Sequence, residues 1–423
     1  MSRLPKKGIS ARTTMGLGNR VMVVLLGILL VSWGGPAASA FWTTVSSNAG
    51  GAKADTVAQG AKPVAAVGLA GNVTVTWTAS STAAGKPVTG YSIARYNAAT
   101  GGTKVAGSGT CTGTVAALSC TDTATTGTWY YAVTPLISLW QGTESLRSTG
   151  ATVDATAPNV PSVNAPTLIT ASNVSNVPVT GTAEANSTIV LTVTDAGAAH
   201  TVTQTRTANG SGSWSTSGLN LSTLNDGTIT YSARATDAAG NTSQPGLDTS
   251  SKDATAPTVS NIQLGNGGGN LGKVEENDTI TVTYSEALDA SKICSAWSSD
   301  TATQTISGNN QVTVTINSSD SLSVSVTNSA CNTFRFGTVS LGKDYENSGS
   351  VTFRGSGSSA SVLVWNPTAK TITITLGAVS SGSPNTTAQS AAAARFTPSS
   401  GLSDIAGNAL STSQFTSPNA TSF

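Results

Sequence analysis

Thr188-Ile-Val-Leu-Thr-Val193 is the stretch that decides how this chain is read. Ile189, Leu191 and Val193 fall on one face of an extended segment, with Thr188 and Thr192 on the other. Successive side chains of a strand point to opposite faces, so this two-residue period marks a half-buried strand. The pattern spreads outward. Downstream, Thr228-Ile-Thr-Tyr-Ser-Ala233 repeats it directly after Asn225-Asp226-Gly227, a tight-turn signal. Upstream, Asn72-Val-Thr-Val-Thr-Trp77 sets Val73, Val75 and Trp77 together. Further on come Ile280/Val282/Tyr284, Val312/Val314/Ile316, Leu322/Val324/Val326 and Ile372/Ile374/Leu376. Only Ser390-Ala-Ala-Ala-Ala-Arg395 has helical composition after the N-terminal region, and it predicts one short helix. Many short strands separated by Gly- and Ser-rich turns predict an all-β chain of antiparallel sandwiches.

Composition agrees. Charged residues are 10% of the 423 and aromatics 5%. Abundant Thr and Val with few lysines suits pleated strands with one wet face. Five of the 21 basic residues, Arg3, Lys6, Lys7, Arg12 and Arg20, lie in the first 40 positions, which hold no acid. The rest carries 16 basic against 20 acidic residues. A mildly acidic body excludes a nucleic-acid partner, which needs a concentrated basic footprint.

A recurring phrase divides the chain. Asp154-Ala-Thr-Ala-Pro158 returns as Asp253-Ala-Thr-Ala-Pro257, 99 residues later. Proline fixes φ and keeps its predecessor extended, so each copy reads as a semi-stiff joint. Asp237-Ala-Ala-Gly-Asn241 and Asp404-Ile-Ala-Gly-Asn408 form a second echo and read as tight turns.

Three domains are expected. Residues 60–153 resemble a fibronectin type III module through Pro63, Val75-Thr-Trp77, Gly90-Tyr-Ser-Ile93 and Thr128-Trp-Tyr-Tyr-Ala-Val133. The resemblance implies that Trp77 packs in the core and that Tyr131 makes a corner hydrogen bond. Residues 158–253 resemble bacterial immunoglobulin-like adhesin repeats through Val179-Thr-Gly-Thr-Ala-Glu-Ala-Asn186, Gly210-Ser-Gly-Ser-Trp214, Leu224-Asn-Asp-Gly-Thr-Ile-Thr-Tyr231 and Ala235-Thr-Asp-Ala-Ala-Gly-Asn-Thr242. Residues 257–417 resemble a larger bacterial immunoglobulin-like domain through Thr281-Val-Thr-Tyr-Ser-Glu-Ala-Leu288 and Gly401-Leu-Ser-Asp-Ile-Ala-Gly-Asn408, with added strands expected in its middle.

The N-terminus reads as a secretory signal peptide over residues 1–40. A basic region ends at Arg20, an apolar run covers Val21 to Trp33, and Ala38-Ser39-Ala40 supplies the small-residue cleavage site. The run is short of the roughly 20 residues that span hydrocarbon. An uncleaved anchor extending through Phe41 and Trp42 is the alternative, and the only membrane attachment foreseen. Phe41-Trp-Thr-Thr and the small polar residues to position 59, read as a flexible linker, resemble the mature start of proteins cut by SipW-type signal peptidases, biofilm-fibre proteins among them.

Export bears on the cysteines. Four of them, with one histidine, cannot complete a Cys/His zinc set. An even count in an exported chain reads as disulfides, and domain placement favours Cys111–Cys120 and Cys294–Cys331.

Catalysis needs a positioned base, nucleophile and charge stabiliser. His200 sits in a polar stretch and reads as a solvated surface residue. Gly267-Gly-Gly-Asn-Leu-Gly272 fits a dinucleotide motif only formally, since β-patterned Thr279-Ile-Thr-Val follows where a helix is needed. Glu275 and Glu276 point to opposite faces of a strand, and Glu286 with Asp289 reads as a turn. No catalytic or cofactor-binding residue is assigned, and no metal ligands are fixed. Asp154, Asp195, Asp237 and Asp253, near joints and loop tips, support two readings: turn and cap chemistry, or Ca²⁺ held with backbone carbonyls. Trp129, Trp140, Trp214 and Trp297 would serve a sugar-binding face if exposed and the core if not.

The expected role is a non-catalytic secreted or cell-surface stalk, with surface or matrix proteins or glycans as partners. The alternatives are a self-assembling biofilm-fibre subunit and a carbohydrate-binding accessory protein.

Overall fold

The computed structural model describes residues 41–44, 52–298, 300–347 and 349–423. The expected signal segment, with its cleavage position, lies outside them. The described chain is all-β with antiparallel sheets, and its longest helix is Ala290–Ile293. It divides into two compact units: the described residues up to 157 with 238–241, and those of 158–237 with 242–423.

In the first unit, Phe41–Thr44 pairs with Ala52–Asp55 as a two-stranded ribbon. A three-stranded sheet follows, Val64–Val67, Asn72–Thr76 and Ser119–Thr123. It faces a six-stranded sheet centred on Gly90–Tyr96 and Gly127–Ile137. The alternation predicted for Asn72–Trp77 holds. Val73 and Val75 are fully buried, and Trp77 packs edge-to-face on Tyr91 at 5.3 Å between centroids. Tyr131 is buried too, but its hydroxyl donates to the Asp122 side chain at 2.8 Å rather than to a backbone corner. The reason is a buried ion pair: the Arg95 guanidinium reaches Asp122 at 2.6 Å and makes that carboxylate the strongest acceptor within range. Disulfide Cys111–Cys120 ties a one-turn 3₁₀ segment to strand Ser119–Thr123.

The second unit holds two sets of sheets. In residues 168–252 the five-stranded order is Leu168–Ile169, Gly246–Lys252, Gly227–Thr236, Thr188–Thr194, Thr201–Thr207, against a two-stranded sheet of Thr180–Thr182 and Ser213–Ser215. Only Leu168–Ile169 runs parallel to its neighbour. Ile189, Leu191 and Val193 meet Ile229, Tyr231 and Ala233 in the core between the layers. In residues 259–421 a five-stranded sheet containing Thr279–Tyr284 and Thr371–Thr375 packs on a seven-stranded one containing Val312–Asn317 and Ser321–Val326. Twelve strands explain the length of this segment. Disulfide Cys294–Cys331 lies in its core.

The short helix expected at 390–395 is absent. Ala392–Pro398 is a strand paired with Gly337–Ser340, and Ala394 and Phe396 are fully buried. Alanine favours helix only weakly, and the apolar alternation into Phe396 lets sheet pairing override it.

Candidate metal centre

The joint phrase Asp253–Pro257 leaves strand Gly246–Lys252 and enters strand Val259–Gly265 within the second unit. Its first residue is fixed by neighbours from two directions. Asp253 N–H donates to Ile169 O at 2.8 Å. Its carbonyl accepts from Asn408 Nδ2 at 2.9 Å. Asn408, 3% exposed, also donates through Nδ2 to Asp404 Oδ2 at 2.8 Å, and its Oδ1 accepts from Ala171 N–H at 2.8 Å. One amide thus links the turn, the joint and the loop that follows strand Leu168–Ile169. Asn241 donates in the same way to the Asp154 carbonyl, at 3.2 Å, in the first unit. The turn residues need this conformation: Gly407 has φ +92°, a value that L side chains rarely adopt.

Asp253, Glu286 and Asp404 offer carboxylate oxygens that all lie within 4.8 Å of one another. Asp404 is buried and the other two half-buried. Burial pushes the Asp253 carboxyl up, and the charges of Asp404 and Asp226 add to it. Burial likewise raises Glu286, followed by Asp253, Asp404 and Asp226. Glu286 Oε1 is a buried acceptor with no hydrogen-bond partner. Converging hard oxygen donors, two carboxyls raised by burial and neighbouring charge, and an orphaned buried oxygen fit a hard divalent cation such as Ca²⁺, which takes oxygen ligands at about 2.3–2.6 Å.

Two cations sit nearby but are engaged elsewhere. Lys252 Nζ pairs with Asp226 at 2.6 Å, and Lys370 Nζ donates to Ser285 O at 2.7 Å. Asp226 also accepts from Thr255 Oγ1 at 2.6 Å and Ala254 N–H at 3.2 Å. Burial raises Asp226, but the bonds from Lys252, Thr255 and Ala254 outweigh it and hold its carboxyl below the ordinary value.

Of the four aspartates singled out from sequence, Asp253 joins this cluster. Asp195 does not. It is buried and closes a loop, accepting from His200 N–H at 2.9 Å, Asn225 N–H at 3.0 Å and the His200 ring at 2.7 Å. Its carboxyl is held well below the usual range by those backbone N–H groups first and the imidazole after them. His200 is therefore a loop partner with a half-exposed ring rather than a purely solvated residue. Asp154 caps its own joint, accepting from Thr156 N–H at 2.9 Å. Glu286, read as a turn residue, and Asp404, read only as part of a turn, are the two members that sequence reasoning missed. The repeated Asp-x-Ala-Gly-Asn turn beside the repeated joint phrase was the available signal. Asp289 does serve local structure, capping Ala290–Ile293 through Ser291 N–H at 2.8 Å.

Two of the four tryptophans singled out from sequence are buried. Trp214 and Trp297 are 4% and 6% exposed and belong to cores. Trp129 is half-buried, donates to Thr125 O at 2.8 Å and carries the Arg95 guanidinium 4.9 Å from its ring. An open polar groove of about 660 Å³ runs beside Trp214, lined by Ser162, Asn164, Thr180, Thr207 and Asn209. The Gly267–Gly272 run is a loop between strands Val259–Gly265 and Thr279–Tyr284, with no helix after it. Among the described residues no helix is long and apolar enough to cross a membrane.

Comparison with known proteins places the middle of the chain. Residues 169–250 match the family model described as a bacterial Ig-like domain. Solved structures with similar chains include a tetra-tandem repeat from the extending region of a large adhesion protein, 20% identical, covering 88% of this chain and 76% of that one, TM-score 0.27. A bacterial ice-binding adhesin is 15% identical, covering 84% and 90%, TM-score 0.24. The FN1–FN3 domains of chicken CNTN1 are 10% identical, covering 86% and 99%, TM-score 0.24. No curated protein matches. The chain is thus an all-β protein whose segment 169–250 matches the bacterial Ig-like family.

Proposed function

We propose that this chain is a non-catalytic extracellular protein, a tandem of immunoglobulin-like domains over 60–153, 158–253 and 257–417 that acts as a stiff spacer or adhesive stalk at the cell surface or in the matrix. The observation that carries the reading is the joint at Asp253, where Asn408 and three carboxylates converge on the linker itself. A spacer needs its joints to resist bending, and a cation bridging Asp253 of the linker to Glu286, just after strand Thr279–Tyr284, and to Asp404 in its turn would remove that freedom. The match of 169–250 to bacterial Ig-like domains supports the same reading. Sandwich folds host many functions, so the site and not the fold bears the argument.

The test is small-angle X-ray scattering of the purified chain in calcium and in chelator, paired with calorimetric titration of Ca²⁺. The expected result is one bound ion at this joint and a longer, narrower distance distribution in calcium. Calcium binding without stiffening would leave a metal site but remove the spacer role. No binding and no change would remove both.

A further inference from the structure

One strand has a long, regular and open edge. Thr201–Thr207 is outermost in its five-stranded sheet and pairs with Thr188–Thr194 over seven residues without a register shift. Among the described residues every other outer strand runs five residues or fewer, like Gln304–Ile306, or has a register shift, as Val259–Gly265 and the Pro418-containing Phe415–Thr421 do. Short, bulged or proline-bearing edges are the usual protections against pairing with another chain. Thr201–Thr207 has none of these three, and its single charge, the inward-turned Arg206 that donates to Ser217 Oγ at 2.7 Å, is the one guard it carries.

The backbone of this edge can be assigned. Ala208 N–H donates inward to Ser187 O at 3.0 Å. Antiparallel ladders alternate, so Val202, Gln204 and Arg206 also bond inward, while the N–H and C=O of Thr201, Thr203, Thr205 and Thr207 face away. Arg206 Nη1 donating to Thr205 O at 2.9 Å agrees, since that carbonyl is free of the ladder. At the centre, Gln204 Oε1 is a buried acceptor with no hydrogen-bond partner.

We propose that Thr201–Thr207 is the docking surface for the same strand of a second copy of this chain, the two running antiparallel about a two-fold axis at Gln204. The sequence Thr201-Val-Thr-Gln-Thr-Arg-Thr207 is complementary to itself in that register. Outward-facing residues meet outward-facing ones: Thr203 opposes the partner's Thr205 and Thr201 the partner's Thr207, each pair exchanging both backbone bonds. Val202 opposes the partner's Arg206, so no like charges face each other. Gln204 opposes its own copy in a pair of the close, non-hydrogen-bonded type, about 4.5 Å between Cα atoms. Thr205 O exchanges its bond from Arg206 Nη1 for one from the partner's Thr203 N–H, and Arg206 keeps Ser217. A two-fold contact uses one patch twice and closes, so assembly ends at a dimer rather than a fibre. This lateral pairing goes beyond the spacer role and is independent of calcium.

Sedimentation velocity of the purified full chain across the micromolar range, in calcium and in chelator, tests it. The expected result is a concentration-dependent doubling of mass in both conditions. Thr205→Pro removes only an outward N–H, so the sheet is kept while dimerisation weakens at least tenfold. Gln204→Lys sets two like charges opposite each other and has the same effect should the proline variant misfold. Gln204→Cys crosslinks the dimer on oxidation, and Val202→Cys does not. A chain that stays monomeric at every concentration overturns the proposal. So does a dimer insensitive to both Thr205→Pro and Gln204→Lys, or one that Gln204→Cys fails to crosslink.

Discussion

Asn408 reaches across 155 residues of sequence to place its side-chain amide 2.9 Å from the backbone carbonyl of Asp253. That contact and its bond to Ala171 make a turn late in the chain the fastener of a joint formed much earlier. Removing it should be felt at the joint first. Asn408→Ala leaves the Asp253 carbonyl and the Ala171 N–H without their partner, a loss of about 1–3 kcal/mol for buried groups. Limited proteolysis should then cut within residues 253–257 faster than in the native chain, with the melting temperature lowered. Unchanged cleavage there would show that Asn408 does not fasten the joint.

The acid cluster predicts a sign reversal. In chelator, Glu286→Gln removes one of three mutually repelling carboxylates, so thermal stability should rise slightly. In calcium the same change deletes a ligand, so the calcium-dependent gain should disappear. For the native site that gain is about 2.7 kcal/mol at an ion concentration one hundred times Kd. Differential scanning calorimetry of both proteins in both buffers reads all four values. A variant that keeps the full calcium gain would exclude Glu286 as a ligand.

The raised carboxyls of Asp253 and Glu286 set a pH dependence in chelator. Their folded values lie above the unfolded ones, near 4. The folded state therefore binds more protons in that window, and stability falls as pH rises from about 4 through the raised values. Calcium favours the ionised carboxylates and should flatten the slope. Melting temperatures taken between pH 4 and 7, with and without calcium, check the direction.

The first unit should behave oppositely in acid. Burial raises the Asp122 carboxyl, but bonds from Ser108, Arg95 and Tyr131 outweigh it and hold the carboxyl below the ordinary value. Its contribution is present above the unfolded value near 4 and is lost as pH falls through the lower folded one. Asp122→Asn should cost about 3–5 kcal/mol, because it strands the Arg95 charge between the sheets. The double variant Arg95→Met with Asp122→Leu should recover much of that loss. Denaturant midpoints for the three proteins decide the matter, and a double variant no better than the single one would refute it.

The disulfides differ in the loops they close, with separations of 9 and 37 residues. On chain entropy the longer loop is worth about 1 kcal/mol more. Cys294→Ser with Cys331→Ser should therefore destabilise its segment more than Cys111→Ser with Cys120→Ser destabilises the other, as read by urea unfolding followed by hydrogen exchange.

Strand identity was legible in the residues because it is a local property. Ile189/Leu191/Val193 and Ile280/Val282/Tyr284 alternate in the chain and are buried in the fold for one reason, the two-residue repeat of a pleated backbone. At Ser390–Arg395 alanine composition points to a helix, whereas the burial of Ala394 and Phe396 two residues apart belongs to the strand that forms there. Loop closure and domain placement favour Cys111–Cys120 and Cys294–Cys331 among the three possible pairings, and the structure forms those two bonds. The candidate site was half visible. Asp253 stood out through its repeated phrase, whereas Glu286 looked like a turn residue beside Asp289.

The sequence by itself determined an all-β chain and its turns, because alternation and Gly/Asn turn chemistry act between near neighbours. Only the tertiary structure decided that Asp253, Glu286 and Asp404 share one site, that Asp195 serves a loop, that Tyr131 answers to Asp122, and that Thr201–Thr207 ends its sheet. Each of those depends on which strands lie side by side, and strand order is set by packing between segments distant in sequence, which no local pattern encodes.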